Sequence, residues 1–143
     1  MTCHVRDMTA ADRVAVAALC SQLGYPSTAE QIDRRFARVT ARPDNALLVA
    51  EQDAQVVGWI HVTIVPMLEC DLGAEIMGLV VDDARRSEGI GAALLAAGET
   101  WAREHGCASI RVRSRIVRER AHAFYGRHGF ACIKTQHAFE KSL

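Results

Sequence analysis

A chain of 143 residues suits one domain with a sizeable core, and half of it is hydrophobic. Seventeen Lys plus Arg balance 17 Asp plus Glu, which leaves no global field for nucleic acid or an anionic membrane. No apolar run is long enough to span a bilayer, and five scattered cysteines (Cys3, Cys20, Cys70, Cys107, Cys132) without a C-x-x-C fit reduced thiols in a cytosol rather than disulfides or zinc.

The first residues, Met1 to Asp7, lack the pattern of a signal peptide, and residues 3–7 read as a short strand. Thr9 to Leu23 reads as a helix, with Val14, Ala17, Ala18 and Leu19 at helical spacing and Gly24 as its stop. Ser27 and Thr28, each followed three residues later by Glu30 or Gln31, give overlapping capping-box signals for a second helix. Its apolar face is Ile32, Phe36 and Val39, and Pro43-Asp44-Asn45 is a turn. Ala46 to Glu51 and Gln55 to Pro66 read as a hairpin around Asp53-Ala54, whose turn type stays open because no glycine is present.

Glu75 to Val81 is apolar after its first residue, as a strand covered on both faces would be. Gly89 to His105 reads as a helix with Ile90, Leu94, Ala97 and Trp101 in one stripe, closed by Gly106. Cys107 to Ser114 alternates like a strand, and Arg118 to His128 is a short helix. Phe130 to Ile133 and Gln136 to Glu140 read as two closing strands.

The segment Gly78 to Leu95 carries the most chemistry. An apolar strand runs into a polar turn, and two glycines, Gly89 and Gly91, open a helix. Free amides at a helix start attract phosphate, and glycine lets that backbone approach a ligand. Arg86 adds a cation, so the segment reads as a pyrophosphate holder. A Walker loop is excluded because no G-x-x-x-x-G-K-[ST] run exists, and Leu94 stands where a dinucleotide fingerprint needs its third glycine.

What remains, Arg86-x-x-Gly89-x-Gly91 after a Val-rich strand, resembles the coenzyme A loop of the GNAT superfamily of N-acetyltransferases. A second block, Arg118-x-x-Ala121-x-x-Phe124-Tyr125-x-x-x-Gly129-Phe130, is similar to the closing motif of that superfamily. The resemblance covers about Cys3 to Leu143. It implies one α/β domain with a mixed, mostly antiparallel sheet whose central strands splay apart, flanked by helices. It also implies direct acetyl transfer from acetyl-CoA, without a metal, to a primary amine of a small molecule or a peptide. A homodimer is a further implication of the family, while the cytoplasmic location rests on the scattered cysteines. A non-catalytic acyl-CoA-binding regulatory domain is the rival reading, as is an acetyltransferase acting on protein lysines or N-termini.

The resemblance also distributes roles. Arg86, Ser87, Glu88, Gly89, Ile90, Gly91 and Ala92 would hold the pyrophosphate, with Ser87 and Glu88 also serving the helix cap and dipole. Leu79, Val80 and Val81 would line the pantetheine arm, through backbone groups at Leu79 and Val81. Gly78 would permit a bulge in that strand. Phe124 and Arg118 would border the coenzyme, Arg118 standing where the family often has asparagine. Tyr125 would protonate the leaving thiolate.

An amine of lysine type has a pKa of about 10.4, so deprotonating it at pH 7 costs about 4.6 kcal/mol. Glu75, the only carboxylate within its strand, is the first candidate base. The resemblance supports it, since a glutamate eleven residues before the loop arginine, as Glu75 is before Arg86, is the base in the histone-acetylating branch of the superfamily. His61 is a second base or relay, and Trp59, His61 and the loop residues Glu69 and Asp71 are candidates for the acceptor pocket.

Overall fold

In a computed structural model, the described residues are 3–143; Met1 and Thr2, the head of the segment read as lacking a signal peptide, lie outside them. Residues 1–113 and 114–143 form two compact units.

The first unit is a five-stranded sheet in the order β1 (His4–Asp7), β2 (Asn45–Gln52), β3 (Gln55–Val65), β4 (Gly73–Val81), β5 (Ser109–Val112). Strands β1 to β4 pair antiparallel, and β5 joins β4 in parallel. A parallel neighbour needs a crossover, supplied here by α3 (Ile90–Glu104). Helices α1 (Arg13–Leu23) and α2 (Ala29–Thr40) precede β2.

The sheet is covered on both faces, as its apolar strands require. Gly98 of α3 lies against Ile60 and Val62, and Leu94 against Gly58. The alternate residues of β3 point the other way. There Val49 and Trp59, opposite each other on β2 and β3, pack with Val16, Ala17 and Cys20 of α1 and Ile32 and Phe36 of α2. The largest side chains sealed from water almost completely are Val49, Val57, Ile60, Val62, Ile90, Leu94 and Leu95. Each contributes about 1.5–3 kcal/mol by that burial.

Local signals explain most boundaries. Thr28 caps α2: its Oγ1 accepts from Gln31 N–H at 3.1 Å, and Gln31 Oε1 accepts from Thr28 N–H at 3.0 Å. The first predicted helix begins later than Thr9, because Ala10–Asp12 forms a single 3-10 turn. Asp12 faces inward there, accepting the Thr9 N–H at 2.8 Å. Asn45 belongs to β2 rather than to the preceding turn. The hairpin turn has positive φ at both Asp53 and Ala54, as a type I′ turn requires.

The second unit contains α4 (Glu119–Arg127), and residues 131–143 run without helix or strand. The two closing strands expected at 130–133 and 136–140 are therefore corrected. A strand forms only where a partner satisfies its N–H and C=O groups, and no strand of the sheet pairs with these residues. Among the described residues no helix is long and apolar enough to cross a membrane.

Candidate active site

The splay expected of the central strands is visible in the register of β4 and β5. Their pairing runs only from Gly73↔Ser109 to Ile76↔Val112. Beyond Ile76, β4 continues to Val81 with β3 on one side and no β5 partner on the other. Leu79 and Val81 thus lie on a strand edge with backbone groups available to an extended ligand. The fork is sharpened by a bulge. Val62 pairs with Ile76 and His61 with Gly78, so Met77 is the extra residue on β4.

Glu75 sits just before this fork. It is 7% exposed, opposite Thr63 on β3 and Arg111 on β5. Its Oε2 lies 3.6 Å from Nε of Arg113, whose side chain is 76% exposed. A carboxylate so enclosed, tied only to a solvent-side cation, can exchange that partner for a ligand cation. Thr63 and Glu75 point to the same face, as directly opposed residues do, and His61 shares it two residues along β3.

His61 is half-buried, and burial holds its imidazole below the usual histidine range. Its Nε2 lies 2.9 Å from Oδ1 of Asn45. Trp59 covers Gly78, and its indole N–H is buried without a partner. Glu69 is exposed in the turn between β3 and β4, and Asp71 follows it in the same loop, also exposed.

The turn after β4 is held from two sides. Gln22 of α1 accepts the Asp83 N–H at 2.9 Å and donates to Asp82 Oδ1 at 3.3 Å. Arg85 donates to Oε1 of Gln52, which is buried at the end of β2. The chain then reverses through two left-handed residues, Ser87 (φ 69°) and Gly89 (φ 81°). Gly89, not Ser87 or Glu88, is the N-cap of α3, and no side chain caps this end. The first intrahelical bond runs from Ala93 N–H to Gly89 C=O at 3.0 Å. The amides of Ile90, Gly91 and Ala92 therefore have no helical acceptor. Arg86 is exposed and ion-paired with Asp83, while Ile90 anchors the helix start in the core.

The second unit carries the remaining candidates. Arg118 is exposed at the N-terminal end of α4. Tyr125 packs edge-on against Phe124 at 5.2 Å and Phe130 at 5.4 Å between ring centroids. Burial pushes its phenol above the usual tyrosine range, against a smaller opposing pull from the Arg118 charge. Asn45, Arg113, Gln22 and Gln52 were not anticipated from sequence. Asn45 had only a turn signal, and the two glutamines had none.

Known proteins match this arrangement. The sequence model of the acetyltransferase (GNAT) family matches residues 14–130. An aminoglycoside N(6')-acetyltransferase type 1 of Klebsiella aerogenes is 29% identical over 106 residues, 72% of this chain and 70% of that protein. Two solved structures share the fold closely. A transcriptional regulator from Bacillus halodurans C-125 superposes with a TM-score of 0.89 at 23% identity, over 98% of this chain and 100% of that one. A glucosamine-6-phosphate N-acetyltransferase from Arabidopsis thaliana does so with a TM-score of 0.86 at 20% identity, over 99% and 100%. The chain belongs to the acetyltransferase (GNAT) family and is, as such, an N-acetyltransferase.

Proposed function

We propose that this protein moves an acetyl group from acetyl-CoA directly to a primary amine on a small, cationic, amino-sugar-like molecule, and that residues 3–143 act as one catalytic domain. The observation that carries the reading is the free edge of β4 from Met77 to Val81, running straight into a turn with unbonded amides at Ile90, Gly91 and Ala92. Such an edge suits an extended pantetheine arm, and such amides suit a pyrophosphate. Arg86 would release Asp83 to meet the phosphates. The small-molecule acceptor is favoured by the aminoglycoside-acetylating relative and by Glu69, Asp71 and Glu75 as partners for a cationic amine.

Bound acetyl-CoA supplies an activated thioester. Glu75 takes one proton from the ammonium, directly or through one water, which frees the nitrogen lone pair to bond to the acyl carbon, and the second N–H proton passes to solvent as the adduct collapses. Tyr125, kept protonated by burial, gives its proton to sulfur as the carbon–sulfur bond breaks, and solvent restores it. The products are the N-acetyl amide and the free thiol of coenzyme A.

The test is thiol release from acetyl-CoA with kanamycin, spermidine, glucosamine and a lysine peptide as acceptors. Turnover with an amino sugar and little with the peptide is expected. Turnover confined to the peptide would overturn the small-molecule assignment. Tight acetyl-CoA binding without turnover on any amine would overturn amine acetylation.

A further inference from the structure

The contact between His61 and Asn45 has no role in the family reading, yet it fixes something chemically definite. Asn45 is the first residue of β2, and its side chain bridges two elements. Its Nδ2 donates to the Val39 carbonyl of α2 at 3.4 Å. That bond orients the amide, because only the NH₂ end can donate to a carbonyl. Oδ1 is therefore the end facing His61 Nε2 at 2.9 Å, and it can only accept. His61 Nε2 must then carry the proton.

The remaining ring nitrogen follows from this. In a neutral imidazole one nitrogen donates and the other accepts. With Nε2–H committed to Asn45, Nδ1 holds the lone pair. It has no hydrogen-bond partner among the described residues. Nor is it sealed from water, as the unpartnered Gln52 Nε2, Trp59 Nε1 and Ser114 Oγ are among the described residues. The lone pair is thus accessible, on the face that His61 shares with Thr63 and Glu75. The residue opposite His61 is Gly78, which brings no side chain of its own, and the Trp59 indole lies over it.

We infer that Asn45 locks His61 in the Nε2–H tautomer so that its Nδ1 accepts a hydrogen bond from the N–H of the incoming amine and turns that amine towards Glu75. This rests on the proposed amine acetylation and adds to it the group that orients the acceptor. Burial keeps the ring neutral, so it does not repel a cationic amine. His61 touches the substrate, and Asn45 acts through His61 as a positioning residue.

Long-range ¹H–¹⁵N spectra separate a protonated ring nitrogen from a bare one without any need for turnover. The wild-type protein at pH 8 should show His61 as a single Nε2–H tautomer. Asn45→Ala should give a mixture, and Asn45→Gln is the conservative variant that should restore part of the lock. Adding kanamycin should move the wild-type Nδ1 signal. Kinetically, Asn45→Ala and His61→Phe should raise the amine KM about five- to tenfold, the worth of one hydrogen bond, with the acetyl-CoA KM unchanged. An Nδ1–H tautomer in the wild type, or a tautomer indifferent to Asn45→Ala, overturns the lock. An Nδ1 signal unmoved by kanamycin overturns the contact with the amine. If the amine moves that signal but no acetyl transfer occurs, the orienting contact stands and the assigned reaction fails.

Discussion

The ring of Trp59 lies where a side chain at Gly78 would have to be. A Cβ built on Gly78 falls 2.6 Å from Trp59 Cη2 and 2.8 Å from Cζ3. These contacts are too short for carbon, and Trp59 is packed against the core beneath α1 and α2. Gly78→Ala should therefore displace the indole and cost about 1–3 kcal/mol, the usual penalty of overpacking. Urea denaturation reads this directly. Because Gly78 follows the Met77 bulge and faces His61, the variant should also raise the amine KM. A variant as stable and active as the wild type would show that the indole is free to move.

A second expectation concerns acid stability. Arg6 donates to both oxygens of Asp12 at 2.9 Å and to Glu51 at 2.9 Å, tying β1, the first turn and β2 together. The Arg6 guanidinium holds the Asp12 carboxyl below the usual aspartate range. A carboxyl depressed in the folded state adds stability above its unfolded pKa of about 3.9, and that stability is lost as pH falls through the folded value. His61, held below about 6.5, adds a smaller loss of the same direction as pH drops below 6.5. Asp12→Asn should lower stability at pH 7 by about 2 kcal/mol and flatten the loss below pH 4. Thermal melts from pH 7 to pH 3 test it, and parallel curves for the two proteins would count against the role of this pair.

Ser87 provides a third. It is exposed, with φ at 69°, a conformation that costs a non-glycine residue about 1 kcal/mol. Ser87→Gly should leave stability within about 1 kcal/mol of the wild type, since relief of strain is offset by a freer unfolded chain. Ser87→Val cannot hold this turn easily and should weaken acetyl-CoA binding about tenfold or more. Calorimetric titration with acetyl-CoA makes the comparison. Equal affinity in both variants would separate the turn from coenzyme binding.

The limits of the sequence are clear at particular residues. The glycine turn, the Thr28 cap and the strand-helix-strand around α3 were readable because each is local and rests on residue types with a fixed backbone preference. The fork was expected from the family resemblance and appears as the end of the β4–β5 ladder at Ile76. Ser87 and Ala54 adopt positive φ without being glycine, so no residue signal marks them. The Arg6–Glu51 contact spans 45 residues, and Asn45 meets His61 across 16. Such pairs become visible only once the strand register is known. The closing strands read at 130–133 and 136–140 do not form, because a strand needs a partner that the local sequence does not reveal.

Tyr125 offers a prediction at the alkaline end. Burial holds its phenol above about 10. The group is therefore protonated across the neutral range, as a donor to sulfur must be. Turnover should not fall through phenol ionisation below pH 10, and Tyr125→Phe should lower kcat about tenfold or more without changing the pH at which activity rises. A matching kcat for the two proteins would leave water as the sulfur's proton source.

Glu75→Gln is the sharpest test of the proposed chemistry. Glutamine keeps the size of the buried side chain and its ability to hydrogen-bond, but it cannot accept a proton at neutral pH. It also leaves Arg113 without its charged partner, a small change because that guanidinium is already largely in water. Stability should hold within about 1 kcal/mol, and acetyl-CoA should bind as before because the glycine turn is untouched. Turnover at pH 7 should fall about 100-fold, the scale of a missing general base. The loss should shrink as pH approaches the amine's own pKa, where the acceptor arrives already neutral. A uniform loss at every pH would make Glu75 a binding group, and no loss at all would remove it from the mechanism.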